Sequence, residues 1–201
     1  MAQAAEISLS PPHSPPSPIK VGMIVFLSSE VAFFGTLIMT YIYFMRQSAE
    51  GNPSPREVFS LPMVLIASAC LFSSSGTIHM AEKALRRSTQ AGFLAWWGLT
   101  IVLGIAFLLF TANEWRDLIV THHLTISRNL FGTTYFTLVG FHAFHVTIGV
   151  ITMSVVWSLA QRRQITVRNM TGVEVVSWYW HFVDAVWVAV FLLVYIVGPR
   201  A

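Results

Sequence analysis

Five apolar runs dominate the chain. They lie at about 21–45, 61–84, 92–113, 131–160 and 174–197. A helix needs roughly 20 apolar residues to cross a bilayer, and each run supplies them. Short polar segments connect them, among them QSAEGNPSPREV, EKALRRSTQ, EWRDLIVTHHLTISRN and AQRRQITVRNMTG. The expectation is an all-α polytopic membrane protein, with five transmembrane helices in a single bundle over residues 21–201. Residues 1–20 carry PPHSPPSP and read as an extended Pro-rich tail on the water side. This start lacks a basic region ahead of an apolar core, so it does not read as a signal peptide.

Composition agrees. Charged residues make up 10% of the chain, against about 25% in soluble domains. The single cysteine, Cys70, excludes an internal disulfide and any CxxC metal or redox motif. The net charge of +3 comes from basic residues scattered over connections, which excludes a nucleic-acid footprint. Those basic residues report topology. With a cytoplasmic N-terminus, Lys20, Lys83, Arg86, Arg87, Arg162, Arg163 and Arg168 fall inside, and Arg46, Arg56, Arg116, Arg128 and Arg200 fall outside. The excess places the N-terminus in the cytoplasm and the C-terminus outside.

Charge at mid-bilayer costs at least about 2.5–3.5 kcal/mol on insertion scales, so ionisable groups there face protein or water. Few occur. Glu30 lies in the first run, His142 and His145 in the fourth, His181 and Asp184 in the fifth. His142 and His145 are three residues apart and share a helix face, as do His181 and Asp184. These five residues form the candidate buried polar seam, pairing across helices. Each has a simple reading beside a sharper one. His181 and Asp184 make hydrogen bonds that set helix packing, or else a proton path or metal site. His142 and His145 bond between helices, or ligate a metal; one turn apart on one helix, they cannot sandwich a haem. Glu30 is structural or touches lipid, or it transfers protons. Trp96, Trp97, Trp178 and Trp180 suit an interfacial belt, and Arg86, Arg87, Arg162 and Arg163, beside them, suit anionic lipid head groups. The ExxH pairs of helical di-iron sites are missing, as are phosphate-binding and nucleophile-elbow motifs. No catalytic residue and no metal ligand is expected. A non-catalytic subunit, a small transporter and an intramembrane metalloenzyme all stay open on the residues alone.

Four segments resemble one family. SSEVAFFG (28–35), ANEWRDL (112–118), GTTYFTLVGFHAFHVTIG (132–149) and WYWHFVDAVWVAVFLLVYIVG (178–198) resemble motifs of cytochrome c oxidase subunit III, in that family's order. The resemblance implies a subunit of a haem-copper terminal oxidase that binds no haem or copper itself. It implies packing mainly against subunit I, which holds the metal centres, with subunit II also in the complex, and bound phospholipid. Glu30 would be the membrane-embedded carboxylate; His142, His145, His181 and Asp184 would be the signature polar residues. Cytochrome c would be the electron donor, and the chain would support assembly and proton uptake. The mitochondrial type has seven helices, whereas five-helix forms occur in bacteria, so a bacterial plasma membrane is implied. Where many family members carry a WAHH-type sequence, this chain has HMAEKAL (79–85). Two neighbouring readings share the resemblance: subunit III of a bo-type quinol oxidase, and a nitric oxide reductase accessory subunit.

Overall fold

The computed structural model describes residues 17–47, 61–120 and 130–197. Five long helices account for nearly all of them: α1 (Pro18–Gln47), α2 (Leu61–Arg86), α3 (Gln90–Val120), α4 (Leu130–Gln161) and α5 (Met170–Phe191). A 3₁₀ turn at Val167–Asn169 precedes α5, and a π-helical stretch at Leu192–Val197 extends it. Inside hydrocarbon a backbone has to satisfy its own N–H and C=O groups, and a helix does so within one segment. The shortest uninterrupted span of the first four, α2 at 26 residues, is about 39 Å long and exceeds the roughly 30 Å core. The five helices are long and apolar enough to cross a membrane.

The last apolar run, 174–197, passes through α5 and the π-helical stretch, and the runs differ most from the helices at the end of α3. Hydropathy ends that run near residue 113, yet the helix continues to Val120. Glu114 and Leu118, one turn apart, are buried against the bundle and hold the extra turns in place.

Two connections are tight, and each ends a helix the same way. Ser88 N–H donates to the Leu85 carbonyl and Thr89 N–H to Ala84, both at 2.9 Å. Arg163 N–H donates to Ala160 at 2.9 Å and Gln164 N–H to Leu159 at 3.0 Å. Both are Schellman closures, and both need a left-handed residue where glycine is usual. Here that residue is Ser88 (φ 55°) and Arg163 (φ 57°).

Helices α2, α3, α4 and α5 close a ring, each packed on two neighbours, and α1 lies against α4 and α5 outside it. Trp180 sits at the ring's centre, fully buried. A Cβ on Gly149 of α4 would lie 2.7 Å from its Cε3 and Cζ3 atoms. A Cβ on Gly104 of α3 would lie 2.8 Å from its Cη2 atom. Two glycine notches therefore let one indole fill the space between three helices. Its Nε1 donates to Ser74 Oγ of α2 at 2.8 Å, so the same ring ties in the fourth.

Candidate functional site

At membrane depth the polar groups form separate clusters, each joining different helices. In the first, Glu30 of α1 meets His145 of α4, with Oε2 and Nε2 3.0 Å apart. The imidazole's other nitrogen, Nδ1, lies 2.7 Å from the Phe141 carbonyl. A carbonyl only accepts, so Nδ1 carries a proton, and a further proton lies between Nε2 and the Glu30 carboxyl. The pair is enclosed by Phe34, whose ring meets the imidazole edge-on at 5.0 Å, and Tyr179 donates to the His145 carbonyl at 3.0 Å. A cleft of about 220 Å³ opens beside it, lined by Met23, Phe26, His145, Ile148, Thr152, Val176 and Tyr179.

The second cluster joins α5 to α2. Ser75 of α2 stands between His181 and Asp184. Its hydroxyl lies 3.1 Å from His181 Nδ1 and donates to Asp184 Oδ2 in a short hydrogen bond. Asp184 is buried, whereas His181 is exposed on the outer side of the chain. The buried Asp184 Oδ1 atom has no hydrogen-bond partner among the described residues. Ser68 continues this line of contacts, accepting from Trp187 Nε1 at 2.9 Å. Sequence reading passed over these serines; the SSS triplet at 73–75, in the middle of an apolar run, was the available signal.

His142 behaves differently from its neighbour. It is fully buried, stacked on Trp187 at 4.9 Å and 26°, with Phe107 edge-on at 5.7 Å. Among the described residues neither ring nitrogen has a hydrogen-bond partner, whereas His145 meets Glu30 of α1. At the far end of α3, Tyr195 donates to Glu114 at 3.3 Å and lies 3.2 Å from the Tyr135 hydroxyl. At the opposite end of the bundle, Glu174 of α5 takes Lys20 of α1 at 2.7 Å and also Arg86 of α2.

Two of the tryptophans assigned to an interfacial belt are core residues instead. Trp97 and Trp180 are fully buried, and each spends its indole N–H inside the protein, Trp97 on the Met153 carbonyl at 2.9 Å. Helix periodicity turned them inward; tryptophan type alone pointed to the interface. Trp96 is exposed, and Trp178 is partly covered with Lys20 Nζ 5.6 Å above its ring. Arg86 is engaged by Glu174, while Arg87, Arg162 and Arg163 are exposed at the same end.

Both nitrogens of His145 are committed, and His142 is walled in by aromatic rings. Among the described residues no three His, Cys, Asp or Glu side chains converge.

The fold and its clusters define a polytopic α-helical membrane protein whose ionisable groups at membrane depth link helix to helix. The family model described as Cytochrome c oxidase subunit III matches residues 13–199. The chain belongs to this family, and is thus subunit III of a haem-copper terminal oxidase, an oxidoreductase complex of several subunits. It is 37% identical over 185 residues to "Cytochrome c oxidase subunit 3" of Corynebacterium diphtheriae, covering 90% of this chain and 89% of that one. It is 35% identical over 177 residues to "Cytochrome bo(3) ubiquinol oxidase subunit 3" of Pseudomonas aeruginosa, covering 88% and 84%. It is 33% identical over 185 residues to "Cytochrome c oxidase subunit 3" of a Synechocystis species, covering 92% and 78%.

Proposed function

We propose that this chain is the non-redox subunit III of a proton-pumping oxidase that takes electrons from cytochrome c. It packs mainly against subunit I, which holds the haem and copper centres, with subunit II also in the complex, and it supports assembly and proton uptake there. The observation that carries this reading is the Glu30–His145 pair, the family motif's carboxylate held at 3.0 Å by the histidine of a second motif. A carboxyl–imidazole pair of this kind fixes α1 to α4 and moves no electrons. The cleft beside it accepts a lipid acyl chain. A second cleft of about 530 Å³, lined by Leu85, Ser88, Gln90, Ile165, Thr166, Val167 and Arg168, lies at the basic end and suits an anionic head group.

The membrane is the bacterial plasma membrane, with the Lys20–Glu174–Arg86 end in the cytoplasm. The excess of basic residues at that end supports this orientation. A second reading has quinol as donor, favoured by the nearly equal identity to the ubiquinol oxidase subunit. Purification of the complex through a tag on this chain tests both. A haem spectrum with turnover on reduced cytochrome c supports the first reading, and turnover on quinol alone replaces it with the second. In the Glu30→Gln complex the haem content per complex is expected to stay unchanged; a large loss refutes the accessory role.

A further inference from the structure

Two residues hold the left-handed conformation, Ser88 (φ 55°) and Arg163 (φ 57°), and neither is glycine. A Cβ there crowds its own backbone, a cost that glycine avoids. Serine offsets such a cost when its hydroxyl bonds within its own turn. The Ser88 hydroxyl makes no hydrogen bond among the described residues. A strained backbone whose side chain is not used locally points to a use elsewhere. Ser88 lines the cleft of about 530 Å³ at the basic end of the bundle.

Both tight connections build that cleft. Ser88 and Gln90 come from the junction of α2 and α3, and Ile165, Thr166 and Arg168 from the segment that enters α5. Gln90 Nε2 donates to the Ala160 carbonyl at 2.7 Å and ties the two connections together. The Thr166 hydroxyl is spent on Asn169 Oδ1 at 3.2 Å. Two lining side chains keep all their donors. One is the Ser88 hydroxyl; the other is the Arg168 guanidinium, which has no ion pair among the described residues. Leu85 and Ile165 are buried beneath them, and Val167 stands exposed at the edge.

The surroundings are positive. Arg87, Arg162 and Arg163 are exposed at this end and, like Arg168, pair with no carboxylate among the described residues. Glu174 is taken by Lys20 and Arg86, and Glu82 lies a helical turn deeper on α2. A guanidinium fork beside a hydroxyl donor matches an anion with several oxygens, and a phosphate serves both at once. The apolar floor suits carbon joined to that phosphate, which favours an ester over the free ion.

We propose that this cleft binds an anionic phosphate ester. The Ser88 hydroxyl and the Arg168 guanidinium donate to the phosphate oxygens, and Leu85, Ile165 and Val167 cover the carbon side. The left-handed serine is kept for its hydroxyl. This deepens the head-group reading of the same cleft, rests on it, and names the residues that hold the charge. An anionic phospholipid and a soluble phosphate monoester present the same group.

The test titrates phosphatidylglycerol and phosphatidylcholine into the detergent-purified, tagged complex and counts bound lipid by native mass spectrometry. Phosphatidylglycerol is expected to bind the more tightly. Ser88→Gly, Ser88→Ala and Arg168→Gln should each weaken it about tenfold, the loss of one hydrogen bond to a charged group. Arg162→Gln removes an equal charge outside the cleft lining and should change binding less than about twofold. Ser88→Gly also relieves the strained turn, so its complex should survive heating longer than the native one without added lipid, which separates lost binding from lost folding. With the variants weakened as stated, displacement of the lipid by glycerol 3-phosphate identifies a soluble ligand, and its failure to displace identifies the lipid. Equal binding by native and cleft variants, or an equal loss in Arg162→Gln, overturns the proposal and leaves the head-group reading standing. A native complex that prefers neither lipid and does not bind glycerol 3-phosphate overturns both.

Discussion

Gly149→Ala puts one methyl group at the most crowded point of the ring. The new Cβ would lie 2.7 Å from two ring carbons of Trp180 and 3.3 Å from Tyr179. The indole has little retreat, because it packs so closely on Gly104 that a Cβ there would lie 2.8 Å from its Cη2, and the Ser74 bond holds its Nε1 end. Overpacking of this kind costs about 1–3 kcal/mol, and slipping the indole off Ser74 adds about 1 kcal/mol. Alanine returns up to about 1 kcal/mol through its better helix propensity. The net expectation is a loss of about 2 kcal/mol, more than tenfold in equilibrium. Fluorescence-detected size exclusion of the heated, solubilised complex reads it as an earlier loss of the chain. Gly35→Ala on α1 is the control, with nothing within 4 Å of its Cβ, and should be neutral or slightly stabilising. Trp180→Phe shrinks the obstructing ring, so the double variant should lose less than the sum of the singles by about 1–2 kcal/mol. A Gly149→Ala complex as heat-stable as the native one, or strict additivity with Trp180→Phe, would refute the notch argument.

Other outcomes follow from the clusters. Ser75→Ala removes the hydroxyl that serves His181 and Asp184 together, and should cost about 1–3 kcal/mol in the same assay. Glu30→Ala should cost a similar amount by leaving His145 Nε2 unserved, whereas Glu30→Gln keeps an amide donor there and should cost less than about 1 kcal/mol. Ser88→Gly should raise stability by about 1 kcal/mol, since glycine takes the left-handed conformation without the Cβ penalty. Glu174→Gln should lower stability by less than about 1 kcal/mol, and the difference should vanish in molar salt, because Lys20 and Arg86 are partly exposed.

Much of this protein was legible in its residues. The number of helices follows from bilayer thickness and from the need of a buried backbone to bond within its own segment. The family follows from SSEVAFFG, the GFHAFHV block and WYWHFVD. Residues that share a helix face follow from the 3.6-residue period, which grouped His142 with His145 and His181 with Asp184.

Only the tertiary structure decided which faces meet. Periodicity relates residues within one helix and says nothing of the partner across the gap. That partner depends on shape: glycine notches at 104 and 149 admit Trp180, which turns α5 so that Asp184 faces Ser75 and His181 faces outward. The same packing placed Glu30 on His145, sealed His142 among rings, and buried Trp97 and Trp180, whose residue type alone pointed to the membrane interface.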